Sequence, residues 1–353
     1  CSLVGSEMCI RDSVCTVCEE VGMEGATGID VSMLKGKKLL NMDSEEEGVM
    51  LASCAGGCRA DVKLPVERET VSGTKLTVSL SGLTGGHSGS EIDKGRGNAN
   101  TLMSRLLRDA SAPVAIASID GGRKDNAIPR ECTAQIIVAP DEAAAVKASI
   151  EQAAAEIAEE FKASDPDLKL TVSEETDCSE SAISAKDSAR VIALIEALPN
   201  GIIRMSREID KLVETSLNLG VLKSDDAAVT LRYAVRSSVG VAKKNLKNQL
   251  VCIAGAFAAE VTFEGDYPAW EYKKDSKLRE DMVRIFEEMY GKKPTVEAIH
   301  AGVECGLLSG KIEGLDCISM GPDMYDIHTT EERLSISSAK RSYEYILRVI
   351  ACK

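Results

Sequence analysis

From Val14 onward, apolar positions recur in short runs that switch between a period of two, the spacing of a strand, and one near 3.6, the spacing of a helix. The first runs predict a strand at Val14–Cys18, a helix near Glu24–Asp30, a strand at Leu39–Asp43 and another around Val49–Ser53. Such alternation points to a parallel α/β sheet. Beyond a polar stretch at Pro65–Thr74 the order becomes strand Lys75–Ser81, helix Asn98–Asp109, strands Val114–Ile119 and Thr133–Ala139, helix Glu142–Ala163 and strand Leu168–Val172. This is β-α-β-β-α-β, the ferredoxin-like arrangement. A related run follows, with helix Ala185–Leu198, strands Leu212–Leu222 and Ala227–Val235, helix Lys243–Ala259 and strand Val261–Gly265.

Past Pro268 the α/β character returns: helix Ser276–Tyr290, a glycine-rich turn at Gly302–Gly306, a strand Leu315–Met320 and a closing amphipathic helix Ser335–Ala351. Two α/β flanks, 14–59 and 266–353, thus enclose an α+β insert over 60–265. The first flank is short for a catalytic domain of usual size. Residues 1–13 show no strand or helix period and begin with Cys1, so they are read as a junctional segment outside the fold.

Composition narrows the function classes. The 353 residues are 44% hydrophobic and 28% charged, enough apolar content for real cores. A net charge of −14 opposes binding to nucleic acid or to anionic membrane surfaces. The longest apolar run, Leu250–Ala259, is far short of the ~20 residues of a membrane span. The 12 cysteines are scattered, which suits reduced thiols and a cytoplasmic setting. Cys15 and Cys18 form a C-x-x-C, but on a strand the two would point to opposite faces.

The chemistry gathers at predicted strand ends, where open α/β sheets collect ligands. Glu19-Glu20 follows the first strand and Asp43 ends a later one, and a divalent cation accepts such carboxylates alongside histidine. An isolated Glu-Glu is more often a solvated turn. There are 3 histidines. His328 lies in a polar loop past the strand Leu315–Met320, and His87 lies in a glycine-rich loop, Gly85-Gly86-His87-Ser88-Gly89, that fits neither a P-loop nor a dinucleotide pattern.

Taken together, Glu19-Glu20-Val21-Gly22-Met23-Glu24-Gly25-Ala26, Asn41-Met42-Asp43-Ser44-Glu45-Glu46-Glu47-Gly48, Gly85-Gly86-His87-Ser88-Gly89-Ser90-Glu91-Ile92, Asn126-Ala127-Ile128-Pro129-Arg130-Glu131 and Ile299-His300-Ala301-Gly302-Val303-Glu304-Cys305-Gly306-Leu307 resemble the aminoacylhistidine dipeptidases of the co-catalytic zinc carboxypeptidase and aminoacylase superfamily. The resemblance implies a zinc-peptidase-like α/β catalytic domain, incomplete at its N-terminus, with an inserted lid and dimerisation domain of ferredoxin-like units. It implies hydrolysis of dipeptides, preferentially Xaa-His, in a cytoplasmic homodimer joined through the lid. Glu19 would be the general base, and Glu20, Asp43 and His328 metal ligands. His87 would reach the partner subunit's site and stabilise the oxyanion beside Asn126. Arg236 would hold the C-terminal carboxylate, and His300 would line the site.

The chain departs from that pattern in one respect. Family members carry a His-x-Asp and a bridging Asp upstream, whereas the three histidines here are followed by Ser-Gly, Ala-Gly and Thr-Thr. Two zincs per subunit are the family's complement; at most one is expected here, with manganese or cobalt able to use the same ligands. The expectation is an N-terminally truncated dipeptidase with negligible activity as it stands. The alternative is a non-catalytic dimeric or peptide-binding homologue that has lost its metal centre.

Overall fold

The computed structural model describes residues 2–3, 12–19, 22–327 and 329–352. A helix α1 (Glu24–Gly28) precedes strands β1 (Lys38–Asn41), β2 (Val49–Cys54), β3 (Gly56–Pro65) and β4 (Arg68–Ser81). Then come α2 (Ala99–Arg108), β5 (Ala115–Gly121), β6 (Cys132–Val138), α3 (Ala143–Phe161), β7 (Lys169–Ile183) and α4 (Ala185–Ala197). The chain continues through β8 (Gly201–Met205), β9 (Val213–Ser224), β10 (Ala228–Ser237), α5 (Gly240–Ala256) and β11 (Glu260–Tyr267). It closes with α6 (Lys277–Tyr290), β12 (Thr295–Ile299), α7 (Glu304–Lys311), β13 (Asp316–Ser319) and α8 (Ile336–Ala351).

Alternation along the strands explains the insert. In β3, Cys58, Ala60, Val62 and Leu64 are buried while Arg59, Asp61 and Lys63 point away; in β4, Leu76, Val78 and Leu80 are buried between Thr77, Ser79 and Ser81. These residues and the inner faces of α2 to α5 form one large core. Nine strands share the sheet, in the order β7-β4-β6-β5-β9-β10-β3-β11, with β8 pairing β9. The first four are a complete ferredoxin-like unit, β4-α2-β5-β6-α3-β7. The next four are a second one, β3-α4-β9-β10-α5-β11, whose opening strand precedes the whole of the first unit in sequence.

The two units meet antiparallel at β5 and β9, through Leu222↔Gly121 and Lys223↔Asp120. The backbones approach so closely there that side chains are excluded. A Cβ on Gly122, where φ is +73°, would fall 1.9 Å from the Gly220 carbonyl oxygen, and one on Gly220 would fall 2.5 Å from Asp125 Cα. Buried amides complete the join. Asn98 caps α2 by accepting from the Asn100 and Thr101 amides, and its Nδ2 donates to Asn218 Oδ1 (3.1 Å) and to the Leu219 carbonyl (3.1 Å). Asn218 Nδ2 donates in turn to the Asp125 (3.0 Å) and Ala127 (2.9 Å) carbonyls.

The flanks form a second sheet, β12-β2-β13-β1. The structure corrects several sequence expectations here and at the insert's start. This sheet is mixed: β12 runs parallel to β2 and β13 to β1, but β13 meets β2 antiparallel at Ser319↔Leu51. Val14–Cys18 is not a strand. It pairs with no strand of the sheet, and its end turns instead: the Val17 carbonyl accepts from Gly25 N (3.0 Å) and Cys18 has φ 57°. The polar stretch 65–74 is mostly strand: Arg68–Thr74 belongs to β4 and pairs with the second half of β7. Among the described residues all ten cysteines are free, and no helix is long and apolar enough to cross a membrane.

Replacing Gly220 by Ala should therefore lower stability by about 1–3 kcal/mol, as overpacking against an immovable backbone does. Urea unfolding of the two proteins measures it; equal midpoints would mean that the units are not locked at this contact.

Candidate substrate site

The site lies where the face of the lid sheet opposite its helices meets the flank. Strand register builds one row across it: Ile202 on β8 pairs Ser216 on β9, Ser216 pairs Arg236 on β10, Arg236 pairs Gly57 on β3, and Gly57 pairs Tyr267 on β11. Directly paired residues share a face. Leu217, Val235 and Cys58, one position along, are in the helix-packed core, so the Ser216–Arg236 row faces the other way. Gly57 leaves the slot that Tyr267 fills, since a Cβ there would lie 2.6 Å from the phenolic oxygen. Arg236 Nη1 approaches that oxygen at 3.5 Å.

His300 follows β12 and is buried, at 5% exposure. Its Nε2 is 2.7 Å from Ser216 Oγ. Its Nδ1 is buried without a hydrogen-bond partner, and so is Nε of Arg236, itself 9% exposed. Burial, then the Arg236 charge and His87, push the His300 imidazole down to about 3, so it is neutral at any physiological pH. The His300 carbonyl abuts Gly89, where a Cβ would come within 2.6 Å of it and 2.9 Å of His87 Cε1. The glycine-rich loop thus brings His87 against the flank of its own chain.

With both ferredoxin-like units in one chain, the loop packs against that chain's own flank. His87 Nδ1 accepts from Ser90 N (3.1 Å), which leaves the ring proton on Nε2, free to donate outward. Burial and Arg236 lower its pKa against the opposing pull of Glu91. Glu91 fixes the loop by accepting from His87 N (2.8 Å) while pairing with Arg96 (2.9 Å). Asn126 is exposed, and its carbonyl accepts from Ser88 N at 2.8 Å. It supports the loop through its backbone.

Glu19 is half-buried in the turn before α1, and its carbonyl accepts from Met23 N (2.9 Å). Met23 packs in a small cluster with Ala26, Leu307 and Tyr267, which ties this turn to the Arg236 row. Asp43 is exposed just past β1; the Cys305 thiol is pushed up by its hydrogen bond with Cys317 and by burial, and least by the Asp43 charge. Glu20 and His328 lie outside the described residues. Among the described residues no three His, Cys, Asp or Glu side chains form a group able to hold a metal. Of the three residues that the resemblance implies as metal ligands, Asp43 alone is among them. Ser216 and Tyr267 were not legible as site residues, because neither stands in a motif and only the register across β8 to β11 aligns them with Arg236.

Comparison with known proteins agrees with this architecture. Residues 78–165, most of the first ferredoxin-like unit, match the peptidase dimerisation domain. The fold is that of a zinc-peptidase-like α/β domain with an inserted lid, and the class is a peptidase, a hydrolase of peptide bonds. The chain is 35% identical over 327 residues to the cytosol non-specific dipeptidase of Escherichia coli (strain K12), covering 92% of this chain and 67% of that protein. It superposes on the crystal structure of aminoacylhistidine dipeptidase from Vibrio alginolyticus with a TM-score of 0.88 at 32% identity, covering 95% of this chain and 69% of the other. The chain belongs to this dipeptidase family.

The His300 environment carries a pH signature. Between 6.5 and about 3 the unfolded chain binds a proton at residue 300 that the folded chain refuses, so stability is full above that window and falls as pH drops through it. Going from pH 7 to 5, the wild type should lose about 2 kcal/mol more than His300→Gln. Denaturant unfolding at both pH values checks this; equal losses would mean that the imidazole is not held neutral.

Proposed function

We propose that these residues are the substrate-binding and proton-transfer part of a site that, when complete, hydrolyses dipeptides, with a preference for Xaa-His, in a cytoplasmic homodimer joined through the lid. The observation that carries the reading is Arg236: a buried guanidinium with no acidic partner among the described residues, beside two neutral imidazoles. An unpaired buried cation is costly unless an anion arrives to meet it, and a dipeptide's C-terminal carboxylate is such an anion. Glu19 takes the proton of the attacking water and passes it to the leaving amine. His87, donating from Nε2, meets the charge that develops on the carbonyl oxygen.

Zinc, or manganese or cobalt in its place, is the cofactor that the resemblance implies through Glu20, Asp43 and His328. The described residues assemble no such centre. The second reading is a non-catalytic dimeric or peptide-binding homologue that has lost its metal centre. The purified chain incubated with zinc is expected to sediment as a dimer, to retain at most one zinc by elemental analysis and to release negligible histidine from Xaa-His dipeptides. Two tightly held zincs or a measurable rate would overturn the inactivity.

A chimera separates the two readings. Joined to the third of the Escherichia coli dipeptidase that has no counterpart here, the chain should turn over dipeptides, and Glu19→Gln should lower kcat roughly 10²–10⁴-fold, the usual share of a general base. An inert but folded, metal-loaded chimera would favour the non-catalytic reading.

A further inference from the structure

The Arg236 pocket holds more hydrogen-bonding capacity than one guanidinium. Three polar groups converge there from different parts of the fold: Arg236 from β10, Tyr267 from the end of β11 and His300 from the loop after β12. Arg236 Nε and His300 Nδ1 are both buried and both unpaired. The His300 side chain is held from its far side, by Ser216 on Nε2 at 2.7 Å. When Ser216 donates its hydroxyl proton to Nε2, the ring proton sits on Nδ1. Nδ1 and Arg236 Nε are then two donors, and two donors cannot satisfy each other. Among the described residues no acceptor meets either of them.

We propose that His300, oriented by Ser216, and Tyr267 are further carboxylate-binding residues that act with Arg236 to make a free C-terminal carboxylate a condition of binding. The inference rests on the reading of Arg236 as the anchor for the substrate's anion. Tyr267 reaches the pocket because residue 57 has no side chain: its phenol occupies the space a Cβ would take and lies within 3.5 Å of Arg236 Nη1. A neutral imidazole and a phenol add directed N–H and O–H donors without adding charge. A carboxylate, with about four lone-pair sites, can accept from all three groups at once. An amide, or the internal peptide bond of a longer substrate, offers one neutral oxygen and an N–H that faces donors. It leaves buried donors unpaired, and such a mismatch discriminates strongly.

The test uses the whole chain labelled with ¹⁵N in its histidines, and the 3 imidazoles are assigned by single substitution. The probes are L-alanyl-L-alanine and its C-terminal amide, both unlabelled. The free acid should shift the His300 Nδ1 resonance and the amide should not. His300→Ala should weaken the acid about tenfold or more, the effect of losing a hydrogen bond to a charged group, and leave the amide unchanged. His300→Asn, which restores an N–H near the Nδ1 position, should recover most of the loss. Ser216→Ala should move the ring proton between nitrogens in the unliganded protein. A purely structural His300 would weaken both probes alike. Acid binding that depends on Arg236 but leaves His300 silent would overturn this inference alone. Acid binding unaffected by Arg236→Met would sink the anchor reading as well, and the absence of any acid-specific change at His300 would also overturn the proposal.

Discussion

The site depends on the close antiparallel join between β5 and β9. Two ferredoxin-like units merge there into one sheet, with Gly122 and Gly220 in backbone contact and Asn98 and Asn218 bonded across the seam. The seam does more than enlarge the sheet. Asn218 also grips the carbonyls of Asp125 and Ala127, so the segment that supports the His87 loop belongs to the first unit but is held by the second. Buried amides of this kind leave little freedom, because each bond that slips exposes an unsatisfied group in a dry interior.

From that seam the geometry of the site follows. β9 carries Ser216 and β10 carries Arg236 in register with it, while the supported loop places His87 and Gly89 against the His300 carbonyl. The flank contributes a smaller framework. Its four-stranded sheet is small, and the turn with Glu19 is tied to the rest through Met23 against Tyr267. The binding half of the site is thus built on strands and buried bonds, and the proton-transfer half on a turn that leans on it.

Much of the fold was legible because burial imposes a period. The helices α2 to α6 and α8 fall within a few residues of their predicted bounds, since one stripe of each must face a core. The alternation Cys58, Ala60, Val62, Leu64 was equally present but went unread, because the glycines before it and Pro65 after it resemble a turn. That omission hid the first strand of the second unit. Val14–Cys18 misled in the opposite way: its apolar pattern suits a strand, but a strand needs a neighbour, and none pairs with it.

The sequence by itself determined the family, the ferredoxin-like order of the insert and the residues with chemical capacity, Glu19, Asp43, His87, Arg236 and His300, because residue type and local period are properties of short stretches of chain. The tertiary structure decided which of them meet. Cross-strand register aligned Ser216, Arg236 and Tyr267, which are separated by up to 51 positions in the numbering. The hold of the second unit on residues 125–127 set the His87 loop against the His300 carbonyl. Pairing between distant strands depends on which backbones find unmet hydrogen-bonding partners and which faces must be buried, and no local pattern encodes that outcome.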